Sequence, residues 1–132
     1  MKKDLIKESR RYVDDARTVL REKARLDVEN QRYEDEKYVR SAGHYLWHAV
    51  LLALDAVFQV RTDRRTRVHV DDYLEAVSKR DHKLLGWVNS SYNIAHLCMG
   101  YDGELSKAIS DDGFRIVNDI IKRCEGMVPK KN

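Results

Sequence analysis

Proline occurs once and glycine six times in 132 residues. That is too little punctuation for a turn-rich all-β chain, and the wrong composition for a disordered one. Cysteine occurs only at Cys98 and Cys124, which builds neither a disulfide framework nor a four-ligand zinc site. Two thiols suit a reducing compartment. No apolar run reaches the roughly 20 residues that a bilayer requires. The most apolar one, Tyr45 to Phe58, also contains His48 and Asp55. The start, Met1 to Glu8, carries Lys2, Lys3 and Lys7 but no apolar signal core. A soluble, cytoplasmic protein is expected, with no membrane contact. A glycine-rich phosphate loop, a dinucleotide fingerprint and a serine-nucleophile elbow are all missing, and no cofactor is expected.

Excess charge is missing too, except in one place. The net charge is +3. The segment Arg61-Thr62-Asp63-Arg64-Arg65-Thr66-Arg67 alone accounts for it, with four Arg and one Asp. The rest of the chain balances. What is present is a hydrophobic fraction of 42% and a charged fraction of 36%. A chain of this length buries roughly 68% of its unfolded surface, enough for one domain over residues 1–132 without staples.

The hydrophobic period is helical throughout. A first helix is predicted from Asp4 to Asp27, with Leu5, Ile6, Tyr12, Val13, Ala16, Val19, Leu20 and Ala24 recurring at three and four residues. The polar stretch from Asn30 to Glu36 reads as a turn. A second helix, Asp35 to Val60, is apolar nearly all round, so it is central or also faces a second subunit. A short third helix, Tyr73 to Lys79, follows a capping signal at Asp71 or Asp72. A fourth runs from His82 to Met99, and Gly100 to Gly103 reads as a turn. A fifth runs from Ser106 to Glu125, with Gly126 as its stop. Gly113 inside it implies a close helix crossing or a later start. The architecture expected is all-α, an antiparallel four-helix bundle with an additional short helix.

Several constellations carry chemistry. His44 and His48 stand at i and i+4, a spacing that can hold a metal on one helix face. No Glu lies between them to activate a water, so a polar seam is the preferred reading and no metal is expected. Asp55 inside an apolar run needs a partner, as a buried anchor or as a base. Tyr92, Asn93 and His96 share a helix face, with Tyr101 and Asp102 at the helix end. That set can bind a phosphate or a base, or it can be a capping and packing network. Arg61, Arg64, Arg65 and Arg67 can meet phosphate oxygens, although no aromatic residue is interleaved to stack on bases. Cys98 and Cys124 read as inert packing.

The segments Lys37-Tyr38-Val39-Arg40-Ser41-Ala42-Gly43-His44, Val50 to Val57 and His96-Leu97-Cys98-Met99-Gly100-Tyr101-Asp102-Gly103 resemble a small bacterial family catalogued as a domain of unknown function. The resemblance covers about Ala16 to Glu125. The helix order and the pattern Asn-x-x-His-x-x-x-x-Tyr-Asp also resemble the HEPN superfamily of four-helix bundles. That second resemblance implies a homodimer. It also implies either a metal-independent ribonuclease of toxin–antitoxin type or a member that has lost catalysis and binds nucleotide, RNA or an antitoxin-like protein. The active motif is an Arg, four to six residues, then a His. Here the Arg positions before His96 hold Ser91, Ser90 and Asn89, so the cation that would stabilise phosphorane-like charge is missing. Arg40 or Arg115 could replace it in space. The expected function is therefore a non-catalytic binding module, with His44, Asp55, Tyr92, Asn93, His96, Tyr101 and Asp102 as its site. The alternatives are a ribonuclease with His96 as general acid or base and a displaced Arg, and a structural dimer.

Overall fold

The computed structural model describes residues 4–61, 63 and 67–129. Arg64 and Arg65 of the arginine segment lie outside the described residues. Among the described residues the fold is all-α apart from one two-stranded hairpin and an isolated bridge from Arg32 to Ser106.

Helix α1, Leu5–Val19, starts where Asp4 accepts a hydrogen bond from the Lys7 amide at 3.1 Å. It continues as a π-helical turn, Leu20–Ala24, closed by Arg25 N–H on the Leu20 carbonyl at 3.1 Å. Arg25 then takes φ +55°, so the helix stops short of the predicted Asp27. The next residues form strands β1 (Leu26–Asp27) and β2 (Arg32–Tyr33), paired antiparallel. The Asp27 carboxylate holds the hairpin turn by accepting from the backbone and side-chain nitrogens of Asn30. The predicted polar turn is therefore a hairpin, and it is tied to the stretch before the last helix: Tyr33 N–H donates to the Leu105 carbonyl at 2.8 Å, and Lys107 N–H to Gln31 at 3.0 Å.

Helix α2, Glu36–Phe58, is capped by Asp35, which accepts from the Lys37 amide. It ends at Gln59 in the left-handed region. Helix α3, Val70–Ser78, begins before the predicted position. Asp72 is not its cap but lies inside its first turn, where its carboxylate accepts from His69 N–H at 2.9 Å. Helix α4, His82–Ser91, is capped by Asp81. The chain then winds on as a ten-residue π-helical segment, Tyr92–Tyr101. The predicted turn at Gly100 is absorbed into that segment and completed at Gly103, with φ +67°. Helix α5, Lys107–Met127, runs one residue past Gly126, the predicted stop.

Contacts fix the directions. Ser9 Oγ on α1 donates to the Ala49 carbonyl of α2, and Tyr12 meets Tyr45, so α1 and α2 are antiparallel. Arg10 pairs with Glu125, and Arg17 lies over the Phe114 ring, so α5 is antiparallel to α1. Helix α4 and its π segment run opposite to α2 and α5. Helix α2 packs against α1, the π segment, α5 and α3, which explains a sequence apolar nearly all round. Leu46 and Leu54 from α2, Leu84 and Met99 from α4 and its π segment, and Ile120 and Ile121 from α5 are fully buried in one core.

Two glycines set the closest approaches. A Cβ at Gly43 would lie 2.6 Å from the Ala95 carbonyl oxygen and 2.7 Å from Met99 Cβ, so α2 and the π segment meet nearly backbone to backbone. At Gly113 a Cβ would stand 3.1 Å from Met99 Sδ and 3.3 Å from Ile94 Cγ2. Gly113 therefore marks a close crossing rather than a late helix start.

Candidate functional site

Beside the Gly43 crossing, α2 presents Arg40, His44 and Trp47 toward the π segment. This i, i+4, i+7 row is one helical stripe. Arg40 Nε donates to the Tyr101 carbonyl at 3.3 Å, and its Nη2 lies 3.6 Å from Glu36. His44 approaches Gly100, where a Cβ would lie 3.3 Å from its Nδ1. Trp47 is nearly buried.

The π segment answers with Tyr92 and His96. The ring centroids are 5.0 Å apart for Tyr92–His96, 5.3 Å for Trp47–Tyr92, 5.7 Å for Trp47–His96 and 6.3 Å for His44–His96. His96 Nδ1 is enclosed and has no hydrogen-bond partner among the described residues. Burial, followed by the charge of His44, holds the His96 imidazole below its ordinary value. Asn93, Tyr101 and Asp102 are exposed. Tyr101 is 76% exposed, and its only equal among the described large hydrophobics is Val28 at the hairpin tip.

Other candidates lie elsewhere. His48 turns away from His44, toward α1, with its ring edge-on to Tyr12 at 4.5 Å. The i, i+4 spacing thus divides between two grooves instead of making one imidazole pair. Burial, followed by the Arg61 charge, holds His48 below its ordinary value. Asp55 is eleven residues, about 16 Å, along α2 from His44. Its carboxylate accepts from Tyr73 Oη and from Arg61 N–H, both at 3.0 Å. Burial nevertheless raises its pKa, and the Tyr73 hydroxyl is raised as well, by burial and then by Asp55. Asp55 thus joins the end of α2 to α3 and is not brought to His96. Arg61 belongs to that same end of α2, and Arg67 lies in the connection from α2 to α3. Arg115 is occupied with Asp112 on its own helix. Cys124 is buried, its thiol pushed up to about 12.

Among the described residues, no three His, Cys, Asp or Glu side chains converge as metal ligands. No helix among them is long and apolar enough to cross a membrane. Trp47 completes the aromatic cluster; in the sequence it lies beyond the main apolar stripe of α2 and is not among the predicted site residues. Its position seven residues after Arg40 and three after His44 was the available signal.

Comparison with known proteins finds a family without a described activity. The family model for a domain of unknown function (DUF5618) matches residues 4–126. A solved protein of unknown function from Dyadobacter fermentans is similar at 32% identity, over 96% of this chain and 97% of that one, with a TM-score of 0.84. No curated protein matches the chain. Neither finding extends the likeness to HEPN bundles.

Proposed function

The chain belongs to the DUF5618 family of domains of unknown function, and we propose from its own geometry that it is a non-catalytic binding module for an unpaired base of a nucleotide or RNA. The proposed site is the face carrying Arg40, His44, His96, Tyr101 and Asp102. The observation that carries this reading is Tyr101, an aromatic ring 76% exposed whose backbone carbonyl is held by Arg40. An exposed ring on a fixed backbone is a stacking surface, worth about 1–3 kcal/mol per base. His44, exposed beside it, can donate to a phosphate. The HEPN resemblance points to the same ligand class. The exposure of His44, Asn93, Tyr101 and Asp102 argues against a purely structural network, which would bury them.

One observation favours the ribonuclease reading. Arg40, the cation nearest in the stripe, is one turn from His44, and His44 faces His96. Yet Arg40 is occupied by the Tyr101 carbonyl and Glu36. A homodimer belongs to the proposal as well; Trp47 and Phe58, the α2 residues a second subunit would be expected to meet, pack on Tyr92 and His96 and under Arg80 within one chain.

A short labelled single-stranded RNA titrated by fluorescence anisotropy tests the proposal. Binding should weaken about tenfold in Tyr101→Ala with the melting temperature unchanged. Binding that is absent, or indifferent to Tyr101→Ala, refutes it. Incubating the same RNA in EDTA tests the other reading, since cleavage that disappears in His96→Ala would make the protein an enzyme.

A further inference from the structure

The geometry points to a proton-operated switch at the crossing of α2 and the π segment, in which protonation of His96 opposite His44 loosens the Tyr92–Tyr101 segment from α2. The inference concerns the same face but does not depend on what that face binds.

Three observations carry it. First, His96 Nδ1 is enclosed without a partner among the described residues. In the neutral ring a tautomer protonated at Nε2 leaves Nδ1 as a bare acceptor. The imidazolium carries an N–H at Nδ1 as well, and that donor would have no acceptor. Second, the His44 ring is 6.3 Å away across the helix interface, and its charge opposes a proton on His96. Third, the segment that carries His96 is π-helical over ten residues. Such winding elsewhere is confined mostly to single turns and often marks functional sites. It is held to α2 by the Gly43 approach and by Arg40 on the Tyr101 carbonyl.

The other ionisable groups at this crossing do not relieve the charge. From α2, Arg40 is taken up by Glu36 and the Tyr101 carbonyl. From α5, the contact is Gly113, and Asp112 beside it pairs with Arg115. On the segment itself stand Tyr92, Cys98, Tyr101 and Asp102. Of all these, His44 is the group whose charge bears on His96. The Trp47 and Tyr92 rings favour a cation by their faces, but they supply no acceptor for Nδ1.

Nuclear magnetic resonance on labelled protein reads the switch directly. As the pH falls from about 8 to about 5, the His96 ring should titrate below the ordinary value of about 6.5, and the amide signals of residues 92–101 should shift or broaden with the same midpoint. In His44→Gln that midpoint should move up. In His96→Gln the segment's response should vanish, while His48, which packs on Tyr12, still titrates. Titration of His96 with no response in the segment overturns the inference, as does a response that persists in His96→Gln. If His96→Gln fails to fold, an unmoved midpoint in His44→Gln overturns it alone.

Discussion

The Asp55 carboxylate is 8% exposed and holds two neutral donors, Tyr73 Oη and Arg61 N–H. Its raised pKa means that desolvation outweighs those bonds in the charged form. The folded state therefore holds the Asp55 proton more tightly than the unfolded chain does, so its contribution is fullest below the unfolded value and is lost as the pH rises through the folded one. Asp55→Asn, which keeps the shape without the charge, should change stability at about pH 8 by less than about 1 kcal/mol, while Asp55→Ala, which strands the Tyr73 hydroxyl, should cost about 2 kcal/mol. Urea titration of the two variants checks this. Loss of several kcal/mol in Asp55→Asn would show instead that the negative charge itself stabilises the fold. At His96, magnitude decides which force governs. Two imidazolium rings 6.3 Å apart repel by about 3 kcal/mol at an effective dielectric near 20, and by less where His44 meets water. One cation–π contact returns about 0.5–1 kcal/mol. The need of Asp55 for a partner could be read from the sequence, since an unpaired carboxylate in an apolar run is too costly. That the partner is Tyr73 could not, because it lies across a loop whose path no local rule determines.

Among the elements, the crossing at Gly43 bears the most consequence. A methyl group there meets the backbone at Ala95, and backbone cannot move aside as a flexible side chain can. Gly43→Ala should therefore destabilise by about 3 kcal/mol or more, whereas Gly86→Ala, which meets nothing within 4 Å, should be neutral or slightly stabilising. Thermal melts of the pair make an internally controlled test, and equal behaviour would contradict the described packing. Helices α2 and α5 were readable because their apolar residues recur at the helical period, and Asp35 caps the start of α2. The π segment was not. Its residues Ala95 and Met99 keep the stripe begun at Leu84 and Val88, and composition does not distinguish a wider winding from the α form. The hairpin after α1 was hidden for the opposite reason. Its strands have two residues each, too short for alternation to register. Asp81 combines two roles, capping α4 and accepting from Arg123 Nε at 2.7 Å and Nη2 at 3.1 Å. Its cap position is a sequence signal; its ion pair, 42 residues away in the chain, is a product of the bundle.

For the whole molecule, the response to acid has a definite sign. His96 and His48 are both held below their ordinary value, burial being the first cause for each. The unfolded chain then binds more protons than the folded one below about pH 6.5. The stability these two rings leave intact at neutral pH is lost as the pH falls through that value and on toward the folded values. Melting temperature measured at about pH 7.5 and about pH 5.5 should fall by a few degrees, and by less in His96→Gln. Because α2 touches every other helix of the described bundle, unfolding should be a single cooperative transition by circular dichroism and fluorescence alike. Two separated transitions would show that the chain is not one folding unit. Light scattering decides the homodimer, and a monomeric mass would remove it.

The most direct test of the binding proposal is to locate a ligand on the protein. Amide chemical shifts recorded while a short single-stranded RNA, and separately a mononucleotide, is added should change first around Arg40, His44, His96 and Tyr101, and Tyr101→Ala should abolish the pattern. Changes confined to Arg61 and Arg67, between α2 and α3, or no changes with either ligand, would contradict it.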